Sequence, residues 1–108
     1  DLVDIARFEE HVAKTPKLLE RLFLSSELDA PMKTIAGRFA AKEALIKALG
    51  GSDGVAWHEV EITKNFSGMP EIKTLGLTAA TVAAAGISSL HLSISHDAGM
   101  AVAMVVAE

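Results

Sequence analysis

A long segment in the middle of the chain constrains the fold more than any other feature. From about Met32 to Leu49 it is rich in Ala, Leu, Lys and Glu, which favour helix, and two glycines follow it, as is common beyond a helix C-terminus. Large apolar residues recur in it at helical spacing and predict a buried face. They are Ile35, Phe39, Ile46 and Leu49. Gly37 is unfavourable inside a helix, so we expect another group to pack closely against it. Lys42 falls where the buried face would take an apolar residue, with Glu43 beside it. These two charges are therefore either paired internally or available to a ligand.

Composition limits the chain to one small domain. It has 108 residues, 50% of them hydrophobic, which is enough for a modest core. The absence of cysteine excludes a disulfide framework, a thiolate metal site and a cysteine nucleophile. A formal net charge of −4 without a block of Lys and Arg argues against a nucleic-acid binder, and no apolar run approaches the roughly 18 residues of a membrane span. We therefore expect one cytoplasmic domain over residues 1–108, with neither nucleic acid nor membrane as a partner. Because the sequence begins at Asp1 rather than Met, we expect the natural chain to start earlier.

The order of the remaining elements favours an α+β fold. The end of a strand over residues 1–5 leads into a helix over about residues 6–14, and Thr15-Pro16 has the pattern of an N-cap and first residue of a second short helix. After the central helix, alternating apolar residues and turn signals predict four strands and one helix. These are strands over 57–64, 71–75, 89–97 and 100–107, and a helix over 78–85. We expect an antiparallel sheet packed against the long central helix, with the last strand covered on both faces.

Three segments of the chain resemble one enzyme family. RFAAKEALIKALG, at residues 38–50, resembles the signature helix of the holo-acyl-carrier-protein synthases, which are small trimeric 4′-phosphopantetheinyl transferases. DLVDIARF, at residues 1–8, resembles the family's N-terminal metal-binding motif. LHLSISHDAGMAVAMVV, at residues 90–106, resembles its closing pair of strands with their Ser-His element. The resemblance spans nearly the whole chain and implies the 4′-phosphopantetheinyl transferase fold. It also implies a homotrimer with each site at a boundary between two subunits.

The reaction that the resemblance implies is a phosphoryl-type transfer. 4′-Phosphopantetheine moves from coenzyme A to a serine of apo acyl carrier protein for fatty acid biosynthesis, and adenosine 3′,5′-bisphosphate is released. The nucleophile comes from the partner, so the chain needs none of its own. Such a transfer depends on positioning and charge neutralisation, and magnesium is commonly held by one or two carboxylates together with substrate phosphates. The resemblance implies magnesium, with manganese as an alternative, held by Asp1 and Glu43. Asp4 is a weaker candidate ligand.

The resemblance also implies which residues bind coenzyme A. Lys42 and Lys47 match lysines of the signature helix, and we expect both to contact the phosphates, with Arg38 as a third candidate. Their alternative role is in salt bridges, and Glu43 followed by Lys47 is itself a favourable pair on a helix. Glu43 and Lys47 are also the two candidates for the general base, and the sequence does not choose between them.

The closing strands and the first helix supply the remaining candidate site residues. The resemblance implies that His96 and Ser95 contact the coenzyme, His96 at its 3′-phosphate. It further implies that Arg7, with Lys14 farther along the same helix, contacts the carrier protein, which is acidic around the modified serine. Two other histidines, His58 and His91, belong to no motif and are expected to be structural.

Three other interpretations remain open at this point. The chain could be a transferase domain cut from a multidomain fatty acid or polyketide synthase. It could instead be a non-catalytic module that binds coenzyme A without transferring any group, or a purely structural oligomer. The last of these would leave the three ordered motifs without an explanation.

Overall fold

The helices lie mainly in the first half of the chain and the strands mainly in the second. The computed structural model describes all 108 residues. The α-helices are α1 (Ile5–Lys14), α2 (Leu18–Leu22), α3 (Met32–Ala48) and α4 (Gly76–Ala84). The strands are β1 (Leu2–Asp4), β2 (Val60–Lys64), β3 (Pro70–Thr74), β4 (Leu90–Asp97) and β5 (Met100–Ala107). Short 3₁₀ turns occupy Ser25–Glu27 and Trp57–Glu59. None of the helices has the length and apolar character needed to cross a membrane.

A three-stranded antiparallel sheet in the order β1-β5-β4 forms the centre of the fold. Leu2 of β1 lies opposite Val102 of β5, and Ile94 of β4 lies opposite Ala103. β2 and β3 form a separate antiparallel hairpin, and β3 packs beside β4. The long helix α3 packs against β5 and β4. The predicted α+β fold, an antiparallel sheet on a long central helix, is confirmed.

Small side chains allow α3 to lie close to the sheet. Ala36, Ala40 and Ala41 of α3 and Ala101 and Ala103 of β5 are almost completely buried. Removing apolar surface from water in this way contributes about 25 cal/mol per Å². Larger residues from the other elements complete the core around this contact. They are Val3, Phe8, Leu22, Phe23, Val60 and Ile62. The tight helix-sheet contact fixes the direction of every functional side chain on α3.

The outer face of β5 is uncovered within the chain, so a single chain buries only one of the two faces that were expected to be covered. Val102, Met104 and Val106 point away from α3 and are 44%, 67% and 46% exposed. Leu2, opposite Val102 on β1, is 61% exposed. The continuous apolar run concealed an alternation of small buried residues with larger exposed ones, since successive strand residues face opposite sides. The sheet therefore presents an apolar outer face.

The segment before β2 differs from the prediction because of a distant capping contact. Trp57–Glu59 is a 3₁₀ turn rather than strand, and the Glu59 carboxylate accepts hydrogen bonds from Leu77 N at 3.2 Å, Thr78 N at 3.1 Å and Thr78 Oγ1 at 2.9 Å. A carboxylate at a helix N-terminus satisfies free N–H groups and favours the helix dipole. The hydrogen bonds from Thr78 lower the pKa of Glu59. Gly76 permits the contact, because its φ is +54° and a Cβ there would lie 2.1 Å from Glu59 Oε2.

The start of α2 also differs from the prediction. Thr15 makes no side-chain cap, Lys17 occupies the N-cap position, and the helix begins at Leu18. The Leu18 N–H donates to the Thr15 carbonyl oxygen at 3.0 Å. The Thr-Pro pair therefore forms the turn between α1 and α2 rather than the first residues of α2.

Candidate active site

The first candidate site is a cavity between the end of β1, helix α1 and helix α3. Asp1 and Glu43, the predicted metal ligands, both line it. Arg7, predicted to bind the partner, lines the same cavity together with Asp4 and His11. The fold therefore brings the N-terminal motif and the signature helix to one place, although they are far apart in sequence.

The backbone of Asp1 is fixed by the sheet. The Asp1 nitrogen donates to the Ala103 carbonyl oxygen at 2.6 Å, and the Ala103 N–H donates to the Asp1 carbonyl oxygen at 2.9 Å. These two bonds extend the β1-β5 ladder to Asp1, so the carboxylate projects from a held position. The Lys47 ammonium donates to Asp1 Oδ1, although the Lys47 side chain is 68% exposed. Lys47 is therefore paired across the cavity wall and not with Glu43, its neighbour on the helix.

The donor set of this cavity fits a magnesium ion. The Glu43 carboxylate makes no hydrogen bond or ion pair, and Asp1 shares only one oxygen with Lys47. Magnesium prefers oxygen ligands and is usually held by one or two carboxylates, with water and substrate phosphates in the other positions. No group of three or more His, Cys, Asp and Glu side chains is arranged to hold a metal ion. Asp1 and Glu43 would thus supply two ligands and leave positions open to phosphate.

The second candidate site is a cleft between α3, the β2-β3 hairpin and β4. Two predicted coenzyme-binding residues, Arg38 and His96, line it. Lys64, at the end of β2, lines the cleft as well and was missed in the sequence, where it stands in no motif. Arg38 and Lys64 carry two positive charges beside the His96 imidazole, which suits an anionic group.

Hydrogen bonds to the backbone orient the two predicted residues of this cleft. The Arg38 guanidinium donates to the Glu27 carbonyl oxygen. His96 Nε2 lies 3.0 Å from the Lys33 carbonyl oxygen. Because a carbonyl oxygen only accepts, Nε2 is the donor in this contact and carries a proton. A Cβ on Gly37 would lie 2.7 Å from His96 Nε2, so the predicted close approach to Gly37 is confirmed and the approaching group is His96.

Lys42 is bonded inside the protein and faces neither of the two cavities. Its side chain is buried, and Nζ donates to Glu27 Oε1 at 2.7 Å, to the Leu22 carbonyl oxygen at 2.8 Å and to the Trp57 carbonyl oxygen at 3.1 Å. Burial lowers its pKa, and the hydrogen bond and charge of Glu27 oppose that shift. All three N–H groups are engaged inside the protein, so none remains for a phosphate. The assignment of Lys42 to coenzyme binding is wrong for this structure, and the internal pairing considered beside it is the one observed.

The other predicted residues lie outside the two cavities. Ser95 is exposed on the outer side of β4, so a single chain does not bring it into the cleft with His96. Lys14 is exposed at the end of α1, two turns beyond Arg7 on the same helix. His58 contacts the Glu20 carbonyl oxygen, and His91 Nε2 lies 3.0 Å from Glu108 Oε2.

Comparison with known proteins identifies the family. Residues 1–103 match the family model of the 4′-phosphopantetheinyl transferase superfamily. The holo-[acyl-carrier-protein] synthases of Clavibacter michiganensis subsp. michiganensis and Leifsonia xyli subsp. xyli are each 48% identical over 108 residues, covering 100% of this chain and 91% and 92% of theirs. The crystal structure of the Helicobacter pylori holo-[acyl-carrier-protein] synthase in complex with coenzyme A matches with a TM-score of 0.88 and 38% identity, covering 100% of this chain and 96% of that one. The Neisseria meningitidis holo-[acyl-carrier-protein] synthase matches with a TM-score of 0.92 and 30% identity, covering 100% and 94%. The chain therefore belongs to the 4′-phosphopantetheinyl transferase superfamily and, within it, to the holo-[acyl-carrier-protein] synthases.

Proposed function

We propose that the chain transfers 4′-phosphopantetheine from coenzyme A to a serine of apo acyl carrier protein, yielding holo acyl carrier protein and adenosine 3′,5′-bisphosphate. The observation that carries this proposal is the placement of two complementary sites on one helix. Glu43 of α3 faces Asp1 across a cavity with carboxylate donors, and Arg38 of α3 faces His96 across a cationic cleft. The H. pylori relative in complex with coenzyme A gives independent support.

The two sites bind different phosphate groups of the coenzyme. Asp1 and Glu43 would hold a magnesium or manganese ion, which when bound neutralises charge on the diphosphate of the coenzyme. Arg38, Lys64 and His96 bind the 3′-phosphate and orient the coenzyme. Lys47 has an exposed ammonium on a flexible stem, so it can leave Asp1 and contact a phosphate near the metal cavity. Positioning of this kind supplies most of the catalysis in transfers to an external nucleophile.

A proton must leave the serine hydroxyl of the carrier protein as its oxygen attacks phosphorus. One oxygen of the Glu43 carboxylate would hold the metal ion, which leaves the other able to accept the proton, whereas the Lys47 side chain is an ammonium paired with Asp1 and has no lone pair. Glu43 is therefore the better-placed general base of the two. The kcat of Lys47→Met tests the choice, since this variant should keep measurable transfer activity if Glu43 accepts the proton and lose it if Lys47 does.

Arg7 and Lys14 form the surface that meets the carrier protein. Arg7 lines the metal cavity and is exposed, and Lys14 lies farther along the same helix. Positive side chains at the mouth of the site attract an acidic partner and raise the association rate more than the affinity.

We further infer a cytoplasmic homotrimer built from one domain per chain. The support is the apolar outer face of the sheet, formed by Leu2, Val102, Met104 and Val106. Contiguous apolar surface that is exposed in a single chain is typically covered by another subunit in an oligomer. Assembly through this face would also bring Ser95, on the outer side of β4, close to a neighbouring subunit.

The test of the proposed function is the mass of a purified apo acyl carrier protein after incubation with this protein, coenzyme A and magnesium. A mass gain of one phosphopantetheine group is expected. It should disappear without metal and with Glu43→Ala. Coenzyme A binding without any mass gain, across several carrier proteins, would instead favour a non-catalytic binding module.

A further inference from the structure

Glu27 is one of two buried charged residues in the molecule, and none of the reaction roles above uses it. It lies in the 3₁₀ turn between α2 and α3 and is 1% exposed. Its Oε1 accepts from Lys42 Nζ at 2.7 Å and from Leu24 N at 2.9 Å, and its Oε2 accepts from Ile62 N at 2.9 Å. Burying a carboxylate is costly unless its oxygens are satisfied in this way.

These contacts join the two walls of the cationic cleft. Lys42 belongs to α3, the wall that carries Arg38, and Ile62 belongs to β2, the wall that ends in Lys64. β2 pairs with β3 on one side only, so the Ile62 N–H points to a free strand edge, where Glu27 replaces a neighbouring strand. The carboxylate therefore fixes the separation of helix and hairpin.

The main chain of the same residue orients the arginine. The Arg38 guanidinium donates to the Glu27 carbonyl oxygen, and no other internal acceptor holds it. Anchoring the Glu27 side chain at three points thus also anchors the group that aims Arg38. Sequence reasoning missed this link because no motif joins Glu27 to its partners.

We propose that Glu27 is a positioning residue for coenzyme recognition, which sets the width of the cleft and aims Arg38 at the 3′-phosphate. The proposal rests on the proposed function, since it assumes that this cleft takes that phosphate. Glu27→Gln is the sharpest perturbation. The side chain keeps its shape, but the amide has only one accepting oxygen, so it cannot satisfy both Lys42 and the Ile62 N–H.

Calorimetric binding of coenzyme A and of 3′-dephospho-coenzyme A to the full chain tests the proposal. Glu27→Gln should weaken coenzyme A binding about ten-fold, the size of one charge-assisted hydrogen bond, and leave dephospho-coenzyme A binding within about two-fold. In an Arg38→Ala background the same substitution should add little, because the arginine it acts through is gone. In the transfer assay, KM for coenzyme A should rise with little change in kcat.

Ser26→Ala is the matched control. Its hydroxyl donates to Glu61 Oε2 at 2.8 Å and also links the turn to β2, but at the exposed surface. This variant should bind both coenzymes like the wild type. If Glu27→Gln does not fold, the double variant Glu27→Gln/Lys42→Met removes both buried charges and should show the same loss of preference for coenzyme A.

Two results would overturn the proposal. One is that Glu27→Gln or the double variant weakens the binding of coenzyme A and of dephospho-coenzyme A equally. The network would then contribute only to the stability of the fold. The other is a full ten-fold effect that persists without Arg38. Failure of the proposed function is distinguishable, because it would appear as wild-type protein that modifies no carrier protein while the binding measurements still report on the cleft.

Discussion

Gly37→Ala adds one methyl group at the point where α3 passes closest to His96. The new Cβ would lie 2.7 Å from His96 Nε2 and 3.1 Å from Ile94 Cγ2, and the first distance is too short to be tolerated. His96 is exposed at the end of β4, so its ring can turn outward rather than force α3 away. The cost is then the hydrogen bond to the Lys33 carbonyl oxygen, about 1 kcal/mol. Replacing glycine by alanine inside a helix gains about 1 kcal/mol.

The lost hydrogen bond and the gain in helix propensity nearly cancel. The free energy of unfolding should therefore change by less than about 1 kcal/mol, although His96 leaves its position in the cleft. Coenzyme A affinity should fall about ten-fold, since the displaced ring no longer contributes a charge-assisted hydrogen bond. Urea denaturation measures the first quantity and calorimetry the second.

A double-mutant cycle with His96→Ala isolates the cause. Without the imidazole there is no hydrogen bond to lose, so Gly37→Ala should raise the free energy of unfolding by about 1 kcal/mol and leave coenzyme binding unchanged. The reasoning is refuted if Gly37→Ala alone raises the free energy of unfolding by about 1 kcal/mol and leaves coenzyme affinity unaltered. That result would mean that His96 does not pack against α3.

The buried lysine, the cap of α4 and the outer face of the sheet each give a measurable expectation. Lys42→Ala should cost about 3–5 kcal/mol in chemical denaturation because it leaves Glu27 buried without its partner, whereas Lys47→Ala should cost less than about 1 kcal/mol because its ammonium is exposed. Glu59, whose pKa is lowered by hydrogen bonds from Thr78, stabilises the fold when ionised; its contribution should be complete above its ordinary pKa of 4.5 and be lost as pH falls through the lowered folded value. Urea titrations of the wild type and Glu59→Gln over this range should therefore differ most above pH 4.5 and converge in more acidic buffer. Met104→Lys, on the exposed outer face of the sheet, should shift the protein to a smaller species in size-exclusion chromatography; an unchanged elution volume would argue against assembly through that face.

Local periodicity accounted for most of the fold, and it failed in two short segments. α3 and β5 were predicted nearly to their ends because their patterns are long and complete within the element. Trp57–Glu59 was misread as strand because the partner of Glu59 is the start of α4, which no local pattern reveals. Thr15 and Pro16 are residue types that favour the N-cap and first position of a helix, but here they form the turn between α1 and α2.

The same limit applied to the site. The family resemblance gave Asp1, Glu43 and His96 as candidates because their motifs are contiguous, and the structure brings the first two into one cavity. It placed Lys42 at the coenzyme, whereas the structure pairs Lys42 with Glu27. Glu27 precedes α3 and is separated from it by Pro31, and no pattern in the sequence indicates that this acid is buried against the lysine. Lys64 was missed for a related reason, since only the folded hairpin carries it to the cleft.

Helix geometry has a consequence for how the two sites cooperate. Arg38 and Glu43 are five residues apart, and at 3.6 residues per turn their side chains point about 140° apart around α3. The cavities they line share no residue, so a coenzyme molecule that used both cavities of one chain would have to pass around the helix. This geometry supports an active site completed between two subunits, with the cleft of one facing the carboxylates of the next. Mixing Arg38→Ala and Glu43→Ala chains during refolding should then restore part of the transfer activity that each variant lacks alone, because some interfaces would combine an intact cleft with an intact metal cavity. Mixed assemblies that form but stay inactive would place the whole site within a single chain.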